Sequence, residues 1–169
     1  MAVVTPSSAA IVNANAGIHN NARIVKAPLL ETVGMYEVAN GDSIASIYRL
    51  VRVPSNARVS QVLLSCDAIT SGAGDVGIYE TAGNGGAVVD VDFFASAQSI
   101  ATALLNSDIT SEADPADAGA GFGKADAEKA LWEALGLTAD PGKEYDIAVT
   151  LTAAAAAAGT LSLKVRYTV

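Results

Sequence analysis

Gly72-Ala-Gly74-Asp-Val-Gly77 has the glycine spacing of a dinucleotide-binding loop. In such a loop the last glycine opens a helix whose backbone amides meet a pyrophosphate. That chemistry needs a strand before the glycines and a helix after them. Here only residues 78–82 separate Gly77 from the next glycine-rich turn, and Val76, Ile78 and Tyr79 favour strand. The segment therefore reads as a loop. Gly119-Ala-Gly-Phe-Gly123-Lys124 invites comparison with a phosphate loop, but Ala118 stands where the first glycine belongs and Ala125 where the hydroxyl belongs. It reads as a flexible loop ahead of a helix.

Asp108, Glu112, Asp114 and Asp117 crowd one loop with no basic neighbour. Carboxylates at that density can gather Ca²⁺ through oxygen ligands. Their spacing is not that of an EF-hand and Pro115 restrains the loop, so solvated surface charge is the favoured reading over a weak ion site. Asp90 and Asp92 fall on one strand face, read as outward. His19 is the sole histidine and sits far from any rigid body that could hold catalytic geometry. Cys66 alternates with Leu64 on an apolar face, where a thiol packs as a small hydrophobe. No carboxylate pair is nominated for acid–base work. The residues point away from an enzyme and name no cofactor and no metal.

The elements that must position these residues are set by length and charge. The 169 residues suit one domain with a tail, and the single cysteine excludes an internal disulfide and a multi-cysteine zinc site. The longest apolar run is Ala153–Ala158, far short of the roughly 20 residues of a membrane helix. The N-terminus has no basic region ahead of an apolar one, so no secretory signal is expected. The 18 carboxylates outnumber the 10 Lys and Arg, giving a net charge of -8. No Lys or Arg occurs between Arg58 and Lys124, where nine carboxylates fall. Such a surface repels phosphate, so neither nucleic acid nor an anionic membrane is an expected partner.

From Met35 onward the pattern is strand and turn. Residues 35–38, 44–53, 59–68, 76–81, 87–94, 145–151 and 161–169 read as strands. Asn40-Gly41 is a strong hairpin dipeptide, and the poly-alanine stretch reads as a hairpin loop between the last two strands. A helix is expected from Asp126 to Gly136, with Ala127, Leu131 and Leu135 on one face. Residues 97–105 suit helix or strand, and 106–123 read as loop. About eight strands and one short helix predict an all-β fold, an antiparallel β-sandwich of jelly-roll type. An immunoglobulin-like topology is the alternative, without its cysteine pair.

Residues 1–34 are expected to form an extended N-terminal arm and 35–169 the β-sandwich domain. The first segment is rich in Ala, Asn, Ser and Val and holds neither strand nor helix period. A disordered tail is one reading. Its apolar residues Ile11, Val12, Ile18, Ile24, Val25, Leu29 and Leu30 favour the other, an arm that orders on a partner. Extended, 34 residues reach on the order of 100 Å. The candidate partner-binding residues are Ile18, Arg23, Ile24, Val25, Lys26, Leu29 and Leu30, with Arg23 and Lys26 able to meet an acidic surface.

VRVPSNA (51–57), GAGDVGIY (72–79) and LWEALGL (131–137) lie within a stretch, 35–169, that resembles the small head proteins of tailed bacteriophages which decorate and cement the capsid. The resemblance implies a non-enzymatic virion protein on the capsid surface, made in the bacterial host cytoplasm and often a homotrimer. It also implies a partner, the major capsid protein, whose neighbouring subunits it would bridge. The alternative is a phage tail or receptor-binding β module, which would stack exposed aromatics on sugar rings. With one Trp, five Tyr and three Phe, mostly on expected core faces, the chain has few to offer.

Overall fold

A computed structural model describes residues 8–18 and 27–169. It contains a seven-residue helix, α1 (Ala9–Asn15), and then eight strands: β1 (Leu30–Val38), β2 (Ile47–Pro54), β3 (Arg58–Cys66), β4 (Ala73–Glu80), β5 (Val88–Ser99), β6 (Leu104–Asp108), β7 (Glu144–Ala153) and β8 (Gly159–Thr168). A single turn of helix, α2 (Leu131–Ala134), lies between β6 and β7. The strands form two four-stranded sheets in the orders β1-β8-β3-β6 and β2-β7-β4-β5, antiparallel throughout. Of the seven connections only β4–β5 joins neighbours in one sheet; the others cross from sheet to sheet. Two interlocked Greek keys of this kind make a jelly roll.

The crossing pattern corrects two local expectations. Gly41 does sit in a turn, with φ +93°, but the strands it connects belong to different sheets, so Asn40-Gly41 makes no hairpin. The alanine stretch likewise arches from β7 in one sheet to β8 in the other. Ala155 is buried under that arch, and its N–H donates to Asp42 O at 3.0 Å.

Alternation places one face of each strand in the core: Val62, Leu64 and Cys66 on β3, Ile147, Val149 and Leu151 on β7, Leu161, Leu163 and Val165 on β8. On β2 strict alternation would bury either Tyr48 or Val51, not both. The register shifts between Arg49 and Val51, and this bulge turns Tyr48, Val51 and Val53 inward together. A larger irregularity interrupts β5. Val76 pairs with Ala95 and Ile78 with Asp90, so residues 91–94 leave the ladder. Phe93 and Phe94 fold inward there beside Phe122, with ring centroids 5.0 to 5.9 Å apart.

The 72–77 glycines belong to this packing. The strand expected from Val76 begins earlier, at Ala73, so residues 73–75 are strand and not loop. A Cβ on Gly77 would lie 2.2 Å from the carbonyl oxygens of Asp90 and Val91, so only glycine admits the bulged strand. The helix is also shorter than the periodicity predicts. Asp126 does not open it; its carboxylate accepts the Gly123 N–H at 3.0 Å and shapes a 3₁₀ turn, Lys124–Asp126. The N–H groups of Leu131 and Trp132 donate instead to Ala57 O and Ser55 O, at 2.8 and 3.0 Å, pinning α2 to the β2–β3 turn.

The boundary drawn at residues 34 and 35 falls inside β1. Leu30 to Gly34 pair with β8 and are part of the sandwich, because Thr32 and Gly34 continue the inward face begun by Tyr36 and Val38. Gly34 is the close point. A Cβ there would lie 1.8 Å from Leu50 O, so β1 presses directly on β2.

Candidate interaction surfaces

Among the described residues β1 is an edge strand hydrogen-bonded only to β8. Its outward residues face β8 partners in the order Glu31–Arg166, Val33–Lys164, Met35–Ser162 and Glu37–Thr160. Arg166 Nε donates to Glu31 Oε2 at 2.7 Å, which holds the Glu31 carboxyl below its usual range, and Arg166 Nη1 donates to Gln61 Oε1 at 2.9 Å. Between these polar pairs Val33 and Met35 are 56% and 71% exposed, and Tyr36 is 57% exposed at the corner where its ring meets Tyr48. Tyr48 donates its hydroxyl to Asp42 Oδ2 at 2.7 Å; burial and that carboxylate push its pKa far up, and the same bond draws Asp42 down. An apolar, unpaired edge of this kind is a ready surface for another chain.

The expected partner-binding residues divide by position. Leu29 is 59% exposed and Leu30 39% exposed, both leading into the β1 edge. Ile18 is 57% exposed just beyond α1, whose Ile11 and Val12 are also exposed. A seven-residue helix with no buried face is marginal on its own. Arg23, Ile24, Val25 and Lys26 lie outside the described residues, as does His19. Val33, Met35 and Tyr36 were not among the expected site residues. Their signal is present in the sequence: Val33-Gly-Met35-Tyr36 places apolar side chains on both faces of one strand, which an edge leaves partly uncovered.

The outer face of the second sheet is closed at its centre, on β7 and β4. Asp146 is buried and accepts from Arg52 Nε at 2.7 Å and Arg49 Nη1 at 3.2 Å. Arg49 also donates to Glu80 O and Gly86 O, both at 2.6 Å, and lies 5.1 Å from the Tyr79 ring centroid. Tyr79 is itself buried, its hydroxyl bonded to the Thr150 hydroxyl. Lys143 and Glu80 pair at 2.5 Å alongside, which raises the lysine.

The acidic loop is held together by its own backbone. Asp114 is buried and accepts N–H donations from Ala118, Gly119 and Ala120 at 2.6, 2.6 and 3.0 Å, the Ala118 bond lowering it most. Asp117 accepts from Ala125 and pairs with Lys124, and Glu112 accepts from Ser96 N–H. Asp108 accepts from Thr110. Asp108 and Glu112 are exposed, as solvated charge should be, whereas Asp114 and Asp117 are drawn into turns by backbone N–H groups. Among the described residues no group of three or more His, Cys, Asp or Glu could hold a metal ion.

Beside that loop a cleft of about 470 Å³ lies between β5 and α2. Val89, Phe93 and Leu135 form its apolar wall, and Asp90, Asp126, Glu133 and Lys129 its charged rim. Burial and the neighbouring Asp92 raise the Asp90 carboxyl. Cys66 is buried under the first sheet, which raises its thiol and keeps it unreactive. Among the described residues no helix is long and apolar enough to cross a membrane.

No protein-family model matches the chain, and no curated protein matches it. Among solved structures it is similar to a chain of the cyanophage Pam1 capsid asymmetric unit, at 12% identity and a TM-score of 0.50, covering 100% of this chain and 94% of that one. A chain in the acidic stable capsid structure of Helicobacter pylori bacteriophage KHP30 is similar at 14% identity and a TM-score of 0.41, over 84% of this chain and 92% of that one. At these identities the likeness is one of fold. The β-sandwich described here is a fold also found within a phage capsid.

Proposed function

We propose that the chain is a non-enzymatic virion structural protein that decorates and cements a bacteriophage capsid by bridging neighbouring subunits of the major capsid protein. The observation that carries the reading is the whole-length likeness of its jelly roll to a chain resident in a cyanophage capsid. Three physical features support it. The β1 edge offers Leu30, Val33, Met35 and Tyr36 to another chain. The N-terminal segment, proposed to act as an arm, adds Ile18, Leu29 and the residues Arg23, Ile24, Val25 and Lys26. Copies set on a lattice convert weak single contacts into strong attachment. In this reading the protein is a homo-oligomer, a trimer being the expected form, made in the host cytoplasm and placed on the outer capsid surface.

The test is attachment. Purified chain is mixed with assembled heads lacking it and, separately, with free capsid subunits, and both are sedimented. Saturable binding to heads alone, at many copies per particle, supports the reading. Binding to neither sinks it, and clear hits on a glycan array would move the assignment to a receptor-binding module.

A further inference from the structure

Among the described residues four strands stand at sheet edges, β1 and β6 in one sheet and β2 and β5 in the other. An edge strand leaves alternate N–H and C=O groups without a ladder partner, and folded proteins blunt such edges against uncontrolled pairing. Three of these four are blunted. Residues 91–94 of β5 leave its ladder, and the loop after β6 supplies bonds there: Phe122 and Ala113 donate their N–H groups to Phe93 O and Phe94 O, at 2.7 and 2.9 Å. β6 has only five residues, a register shift against β3 and a left-handed Asn106, φ +52°. β2 carries the bulge between Arg49 and Val51, two arginines and a terminal proline, Pro54.

β1 has none of these devices. Its nine residues pair one for one with β8, from Leu30–Tyr167 to Val38–Gly159, without a shift, and they include no Pro, Lys or Arg. An unbroken ladder on one side leaves an equally regular row of backbone groups on the other. Among the described residues, 30–38 form no backbone–backbone bond beyond the β8 ladder. Charge then sets the chemistry of an incoming strand. Residues 27–48 hold three carboxylates, Glu31, Glu37 and Asp42, and no Lys or Arg. Arg166 neutralises Glu31 at the start of β1. At the other end Glu37 accepts from the Thr160 hydroxyl at 2.8 Å and Asp42 from the Tyr48 hydroxyl, and among the described residues neither forms an ion pair. A second β1 would bring the same acids and no cation, and copies of net charge -8 repel one another. A strand from a different chain, apolar opposite Val33 and Met35 and basic opposite Glu37, meets both the apolar stripe and the charge.

We propose that an extended segment of the partner chain adds to β1 as a further strand of the β1-β8-β3-β6 sheet, with apolar side chains beside Val33 and Met35 and a Lys or Arg beside Glu37. This rests on the cementing reading and deepens it: the capsid subunit donates the strand, and a backbone ladder holds the two chains together.

The experiment is hydrogen–deuterium exchange with residue-level mass spectrometry, on the full chain free and bound to assembled heads that lack it. About half of the β1 amides point away from β8. These are expected to exchange fast in the free chain and roughly tenfold or more slower on heads. Amides that are all slow in the free chain overturn the proposal. Fast amides left unchanged on bound heads also overturn it, while the cementing reading stands. Absence of head binding overturns both. Glu37 is exposed, so Glu37→Lys should fold as wild type and weaken head binding about tenfold. Glu31→Gln, whose cation comes from its own chain, should change binding less than about twofold. Equal affinity of Glu37→Lys and wild type overturns the basic partner strand.

Discussion

The outer faces of the two sheets start from the same strand alternation and end in opposite states. At the centre of the β2-β7-β4-β5 sheet, on β7 and β4, the outward residues are closed over: Tyr79, Ala148 and Asp146 are buried, and two arginines converge on one carboxylate. On the β1-β8-β3-β6 sheet Val33 and Met35 stand in solvent between isolated polar pairs. A face that satisfies itself has little left to offer a partner; an apolar edge that does not is where burial is still to be gained. The difference separates the part of the molecule that holds the fold from the part available for assembly.

Substitutions can break that comparison, the largest expected effect first. Gly34 joins the open edge to the closed sheet, and Gly34→Val forces a side chain into the Leu50 carbonyl. A stability loss of about 4 kcal/mol is expected in urea titration; wild-type stability would show that β1 does not press on β2 as described. Asp146→Ala strips both arginines of their shared partner on the closed face. Because those arginines are partly exposed, the cost is expected at about 2 kcal/mol, below the range for fully buried pairs. Equal stability of the variant and wild type would mean that the network does not support the sheet.

Carboxylates in the acidic region sharpen the contrast through pH. The folded-state pKa of Asp90 is raised, first by burial and then by Asp92, so the folded protein binds the extra proton and loses stability as pH rises through that window. Asp90→Asn should therefore melt higher than wild type at neutral pH, the gain fading as pH falls below the usual carboxylate range. Asp114 has the opposite sign: its pKa is lowered by backbone N–H donors, so its contribution is present at neutral pH and lost as pH falls through the folded value. Asp114→Asn should melt lower at neutral pH and converge on wild type in acid. The smallest effect belongs to the open face. Met35→Ser should change monomer stability by less than about 0.5 kcal/mol while weakening head attachment in the sedimentation assay. A large loss of stability there would mean that Met35 is part of the core.

The exposure of two candidate residues was legible in residue order. Leu29 and Leu30 were expected at an interface and are exposed at the β1 edge. Val33, Met35 and Tyr36 were not named, because exposure on both faces follows from β1 having a single ladder partner, which local pattern does not reveal. The cleft was equally hidden. Its wall joins Phe93 on a bulged strand to Leu135 beyond a one-turn helix, 42 positions apart along the chain. Asp114 and Asp117 were read as solvated charge because their donors, backbone N–H groups several residues on, exist only once the turns close.

Residue order by itself determined most of the strands and their apolar faces, β6 and the bulged face of β2 excepted, since period-two alternation is a local property of side-chain transfer from water. It also determined the eight-strand class and the acidic body behind a carboxylate-free first 30 residues. Tertiary structure decided which sheet each strand joins, where glycine is obligatory, which carboxylates are capped and which edge stays open. Those outcomes depend on contacts between distant residues, such as Gly34 against Leu50 or Asp146 against Arg52, whose energy exists only after the chain has crossed from one sheet to the other.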